Sequence, residues 1–192
     1  MGSADRSSLP TIEKYLQIAG RRVEIEDAGP DAPCALTRHL AAAANWIHVV
    51  AIQRPQTRRL TLRGTKPHGA IQFVGDLERR MIEPLVLTLR ALATGQVDLD
   101  TPATPVFLRD LRREVQLRMV VSIGCPYCPG ATAVVLRLPC VSERVGVQVI
   151  RADVVGAPKV HAVPTLLDGD RVMGSGSMQE MNVVEALLGN DF

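Results

Sequence analysis

Aromatic side chains are scarce in this chain: one Trp, two Tyr and three Phe make up 3% of 192 residues. Proteins that grip single-stranded nucleic acid stack bases on such rings, so that class is excluded. A surplus of charge is missing as well. Lys and Arg number 22 against 20 Asp and Glu, a formal net charge of +2, too balanced for nucleic acid or an anionic membrane to be the main partner. No apolar run reaches the length of a membrane span, and Met1–Ser8 is polar, without the apolar core of a secretory signal. A cytoplasmic location is therefore expected. In that reducing compartment four cysteines do not make a structural framework. Nor do they offer a zinc site with two closely spaced pairs, because Cys34 and Cys140 stand alone. No metal is expected.

What is present is 46% hydrophobic content, enough for a proper core, and one close pair of thiols. Val120-Val121-Ser122-Ile123 reads as the end of a buried strand and Ala131–Leu138 as a helix, which places Cys125-Pro126-Tyr127-Cys128 at a strand-to-helix junction. The unpaired amides and aligned dipoles of a helix N-terminus favour thiolate over thiol at the first cysteine. Cys125 is thus the expected nucleophile. Cys128 follows one turn later, placed to attack a mixed disulfide at Cys125 and to close an intramolecular disulfide. Pro126 stiffens the turn, and Pro129 falls in the first helical turn, where a missing N–H costs little.

Periodicity and turn residues give an order for the whole chain. A short helix over 10–18 precedes a strand at 22–26, a helix at 34–45, a strand at 46–52, strands at 59–63 and 70–74, and a long helix from 76 to 94. A polar, proline-bearing stretch, 96–105, follows. The order then repeats: helix 105–113, strand 115–122, the cysteine helix, strand 146–152, strands 164–167 and 171–173, and helix 178–188. This repetition argues for tandem copies of one small α/β fold, residues 9–98 without a cysteine motif and 104–189 with it.

The second half, with Cys125-Pro126-Tyr127-Cys128-Pro129 after a strand and His161-Ala162-Val163-Pro164-Thr165 before a hairpin, resembles a thioredoxin-fold domain. The two-copy arrangement is similar to the tandem thioredoxin-fold unit at the N-terminus of the alkyl hydroperoxide reductase flavoprotein subunit. It is also similar to the glutaredoxin-like protein disulfide oxidoreductases. The closing segment, residues 174–181, is similar to the Gly-x-Gly-x-Met stretch opening the last helix of the peroxide-reductase unit. The resemblance implies an α/β protein of two fused thioredoxin-like domains, each a central mixed sheet flanked by helices. It makes Cys125 the attacking and Cys128 the resolving thiol, and Pro164 a cis-proline facing them, with Val163 offering backbone groups to an extended peptide. Pro126, Tyr127, Val163 and Pro164 are then expected to line the substrate. No cofactor is implied beyond the redox-active disulfide itself.

Two departures bear on the partner. Gly124 stands where thioredoxins have tryptophan. Cys-Pro-Tyr-Cys is a glutaredoxin sequence, yet Ala162-Val163-Pro164 and Gly174-Ser175-Gly176-Ser177 differ from the Thr-Val-Pro and Gly-Gly-Asp that hold glutathione there. The expected activity is exchange with protein disulfides, such as that of a peroxiredoxin, with electrons from a separate flavoprotein reductase. The rivals are a glutathione-dependent glutaredoxin or iron–sulfur carrier and a non-catalytic interaction module. Gly174-Ser175-Gly176 lacks the third glycine of a dinucleotide fingerprint and reads as a turn. Cys34 and Cys140 read as packed residues, His161 as a loop residue, and His39, His48 and His68 as structural or surface groups. Paired arginines such as Arg58-Arg59 read as solvated faces.

Overall fold

Alternation along the strands decides which face of the sheet is covered. In the first strand Val23 and Ile25 are buried while Glu24 and Glu26 are half-exposed, the period of two that a sheet with one wet face requires. The computed structural model describes residues 9–54 and 56–189; the polar opening stretch, 1–8, lies outside them. In chain order the elements are α1 (Leu9–Leu16), β1 (Val23–Gly29), α2 (Ala35–Ala43), β2 (Ile47–Gln53), β3 (Arg59–Arg63), β4 (Ile71–Val74) and α3 (Ile82–Thr94). The second half supplies α4 (Thr104–Arg109), β5 (Val115–Val121), α5 (Cys128–Val141), β6 (Val145–Arg151), β7 (Thr165–Asp168), β8 (Arg171–Ser175) and α6 (Glu180–Leu188).

The strand order is β2-β1-β3-β4-β6-β5-β7-β8, one eight-stranded mixed sheet. Two separate sheets were expected, and this corrects the expectation. Each half has the same internal order, but β4 pairs in parallel with β6, from Ile71↔Val147 to Val74↔Ile150, so neither half keeps an open edge at the join. The repetition extends to single hydrogen bonds. Arg54 N donates to Gly29 O at 3.0 Å as Ala152 N does to Val121 O at 2.9 Å, and Gly75 N donates to Arg58 O at 2.8 Å as Gly176 N does to Pro164 O at 2.9 Å.

A single core lies on one face of this sheet, built from Val23, Ile25, Leu60, Phe73, Leu117 and Val149 of the strands and from residues of all six helices. The other face carries Glu24, Glu26, Thr61, Arg63, Gln72 and Gln148. There Gln148 donates to Gln72 at 3.0 Å, and Arg63 pairs with Glu26 at 3.4 Å. No described helix is long and apolar enough to cross a membrane.

The long helix expected from residue 76 begins only at Ile82, after a 3-10 turn at Arg79–Met81. Asp76 is held out of helical geometry by Arg58 on its carboxylate at 2.7 Å and Arg151 on its carbonyl at 2.9 Å. Helix α4 stops at Arg109, short of the expected 113. The connecting stretch is pinned by Glu180, 0% exposed, which accepts from the Asp100 amide at 3.1 Å and the Thr104 hydroxyl at 2.5 Å and pairs with Arg137 at 3.3 Å.

Gly69 marks the tightest point of the join. A Cβ there would stand 1.8 Å from the Val145 carbonyl oxygen, while the Gly69 amide donates to Pro139 O at 2.8 Å. Gly69→Ala is expected to lower the unfolding free energy by about 3 kcal/mol, read as a shifted midpoint in denaturant.

Candidate active site

Strand β5 ends at Val121, and a six-residue loop delivers Cys125 to the first turn of α5, which starts at Cys128. Both cysteines are free thiols. The Cys125 sulfur is partly exposed and accepts a hydrogen bond from the Cys128 amide at 3.2 Å, while its thiol donates to the Val163 carbonyl at 3.5 Å. Cys128 is 0% exposed behind it. Burial, above all, pushes its thiol up to about 12, the neighbouring Cys125 adds to the rise, and the Ser122 backbone opposes it.

The Val163–Pro164 peptide bond is cis. The loop it belongs to is fastened from beneath by Thr165, 2% exposed, whose hydroxyl donates to Ala162 O at 2.8 Å and lies 2.8 Å from Ser175 Oγ. Thr165 was not singled out in the sequence. The signal was there, a β-branched hydroxyl residue directly after a proline at a strand start. The structure thus brings Cys125, Cys128, Val163 and Pro164 together, and leaves Pro126 and Tyr127 exposed on the loop, Tyr127 at 65%. His161 is exposed. Cys140 donates to Leu136 O at 3.2 Å inside α5, and burial pushes its thiol up to about 12. His68 staples its loop, accepting from the Gly64 amide at 2.8 Å. Cys34 sits at the start of α2, on a loop from β1, four strand spacings from β5, roughly 19 Å at 4.8 Å each.

The first half fills the equivalent place with charge. Arg58 precedes β3 as Pro164 precedes β7, and Asp27 is the fifth residue of β1 as Met119 is of β5. Arg58, expected on a solvated face, is 6% exposed and Asp27 0%. Three carboxylates pair with the guanidinium: the buried Asp27 from within, and the exposed Asp31 and Asp76 from the solvent side. Burial by itself would raise the Asp27 pKa, but hydrogen bonds from Thr37 and the Cys34 amide, together with the Arg58 charge, hold the carboxylate below its usual range. Burial likewise pulls Arg58 down, and Asp76 and Asp27 more than reverse it.

No protein-family profile matches the chain, and no curated protein matches it in sequence. Solved structures do match. A protein disulfide oxidoreductase from Aeropyrum pernix K1 aligns with a TM-score of 0.77 at 14% identity, covering 100% of this chain and 95% of that one. The alkylhydroperoxide reductase AhpF of Enterococcus faecalis aligns at 0.76 with 18% identity over 94% of this chain and 97% of that one. The NTD_N/C domain of the same reductase gives 0.75 at 16%, over 94% and 98%. At such identities the likeness is one of fold, and the chain has the thioredoxin-like fold that its residues resemble.

Two outcomes follow from this geometry. Iodoacetamide at neutral pH is expected to label Cys125 at least about tenfold faster than the buried, protonated Cys128, mapped by peptide mass; equal labelling would contradict the arrangement. Asp27→Asn is expected to lower the unfolding free energy by about 3 kcal/mol at neutral pH, because Arg58 loses its buried partner. Folding depresses the Asp27 pKa, so its contribution is complete above the unfolded value of about 3.9 and is lost as the pH falls below it. The variant is expected to lose less stability than the parent over that acid range in denaturant titrations.

Proposed function

We propose that this chain is a thiol–disulfide oxidoreductase that exchanges the Cys125–Cys128 dithiol with protein disulfides. One observation carries the reading: a partly exposed Cys125 sulfur receives the Cys128 amide at 3.2 Å, beside the Val163 carbonyl, with a second, buried thiol one turn behind. The helix amide supports negative charge on the attacking sulfur. Cys125 attacks one sulfur of the substrate disulfide, a mixed disulfide forms, and the first substrate thiolate leaves. Cys128 then attacks Cys125, an intramolecular disulfide forms, and the second substrate thiol departs with the proton that Cys128 gives up. Two electrons pass from the dithiol to the substrate. Because Cys128 is buried, it reaches only a sulfur already attached to Cys125, which keeps it a resolving thiol.

Val163 and Pro164 lie beside the cysteines and, with Pro126 and Tyr127, form the face proposed to meet an extended segment of the client. The proposed client is a protein disulfide such as that of a peroxiredoxin and the proposed donor a separate flavoprotein reductase, as the resemblance of the sequence to the alkyl hydroperoxide reductase unit implies. The match in fold to the alkylhydroperoxide reductase of E. faecalis supports a redox role in general. Residues 9–98 are proposed to act as a redox-silent first copy and 104–189 as the working one, in a cytoplasmic protein.

The deciding experiment is turnover on an oxidised peroxiredoxin, run once with a flavoprotein disulfide reductase and once with glutathione and its reductase. Activity is expected with the flavoprotein and is expected to fall to background in Cys125→Ser. Cys128→Ser is expected to stop after one event and hold the client in a mixed disulfide, visible on a non-reducing gel. Turnover that survives Cys125→Ser would falsify the assignment.

A further inference from the structure

Threonines inside α3 return their hydroxyls to the carbonyl one turn back: Thr88 Oγ1 donates to Pro84 O at 2.7 Å and Thr94 Oγ1 to Arg90 O at 2.8 Å. Thr132 in α5 does not. It is 0% exposed, and its hydroxyl has no hydrogen-bond partner among the described residues. Leaving such a group unsatisfied costs its desolvation, and an apolar residue of the same shape avoids that loss. The position therefore carries a polar atom that packing does not explain.

Its placement relative to the thiols supplies the explanation. Thr132 follows Cys128 by four residues, so their Cβ atoms lie about 5–6 Å apart on one face of the helix. Side chains on a helix lean toward its N-terminus, here toward the turn that begins at Cys128, although in the dithiol form no hydrogen bond joins the Thr132 hydroxyl to the Cys128 sulfur. The Cys128 sulfur is itself 0% exposed, and the groups acting on its proton are Cys125 and the Ser122 backbone, neither of them a cation. The Ser122 backbone alone eases that ionisation, against burial and Cys125, and a sulfur that must carry negative charge in a dry site gains from a further donor.

We propose that Thr132 is the positioning residue of the resolving step, its hydroxyl donating a hydrogen bond to the Cys128 sulfur as that sulfur gives up its proton. The inference rests on the exchange chemistry proposed above. In that step the S–S bond between Cys125 and the client breaks, the Cys125–Cys128 bond forms, the electron pair leaves on the client sulfur, and the proton from Cys128 ends there through solvent. Thr132 keeps its own proton throughout. It lowers the cost of the thiolate that the buried site otherwise resists.

Thr132→Val removes the donor and keeps the shape, whereas Thr132→Ser keeps the donor. Both are placed in a chain whose Cys34 and Cys140 are replaced by Ser, and the reduced protein is mixed with dithiobis(nitrobenzoate) in a stopped-flow absorbance experiment. The first thionitrobenzoate released reports attack by Cys125, the second reports resolution by Cys128. Thr132→Val is expected to leave the first phase unchanged and to slow the second about tenfold, Thr132→Ser to restore it, and the melting temperature of the valine variant to stay level or rise. An unchanged second phase in the valine variant overturns the proposal, as does a slowing shared by the serine variant or accompanied by lost thermal stability. This aromatic disulfide reads resolution without any protein client, so failure of peroxiredoxin turnover removes the proposed function and leaves the role of Thr132 judged on its own result.

Discussion

The parallel pairing of β4 with β6 is the interaction on which the remaining structure depends. Ile71 and Phe73, both 0% exposed, stand beside Val147 and Val149 across it, and the core continues through the join without interruption. Helix α3, with Leu85 and Leu89, then lies over the same face as α5, with Val135 and Leu136. A helix packed along its whole length cannot tilt independently of its neighbour. The direction of α5, and with it the aim of the Cys128 amide at the Cys125 sulfur, is thus set in part by residues from the half without the cysteine pair. Polar contacts tie the same seam, since Arg151 of β6 donates to the Asp76 carbonyl and pairs with Glu78 at 3.9 Å.

Corresponding positions in the two halves are put to opposite electrostatic use. Asp27 and Arg58 occupy the places that Met119 and Pro164 take in the second half, and the ion pair is closed by hydrogen bonds on nearly every side. That satisfies the requirement for burying charge. Around Cys128 the second half instead keeps a setting without carboxylates or cations, with the apolar Met119 and Val121 both 0% exposed. A charge network in that position would compete for the Cys128 proton. Keeping this ion pair in one half and the cysteine pair in the other avoids the conflict.

The sequence made the fold legible where the chemistry is local. Cys125 and Cys128 declare themselves by a fixed spacing at a strand-to-helix change, and Pro164 by its place before a hairpin. The order of helices and strands followed from periodicity, including the repeat between halves. The single continuous sheet did not, because edge-to-edge pairing of β4 with β6 joins residues 76 positions apart and leaves no local mark. Arg58 was misread for a related reason. Its partners Asp27 and Asp31 lie 31 and 27 residues away, and beside Arg59 it looks like one half of an ordinary surface pair. Thr132 was invisible for a third reason: a threonine among valines and alanines in a helix carries no sign of whether its hydroxyl is satisfied.

The join between the halves is made from unlike edges, which gives the sheet a polarity along its width. Strand β2 is an edge of the same kind as β6, and β8 of the same kind as β4. Two molecules set side by side would therefore present matching edges, and contacts of this head-to-tail type run on into an open array unless the rotation between copies closes a ring. Growth into a ribbon is opposed at the β8 end. Its pairing with β7 is broken by an irregularity between Leu166 and Leu167, and it opens on the exposed Arg171, features that spoil a template for another strand. The regular strand β4 meets its partner within the chain, while its irregular counterpart β8 is a poor template for a further strand.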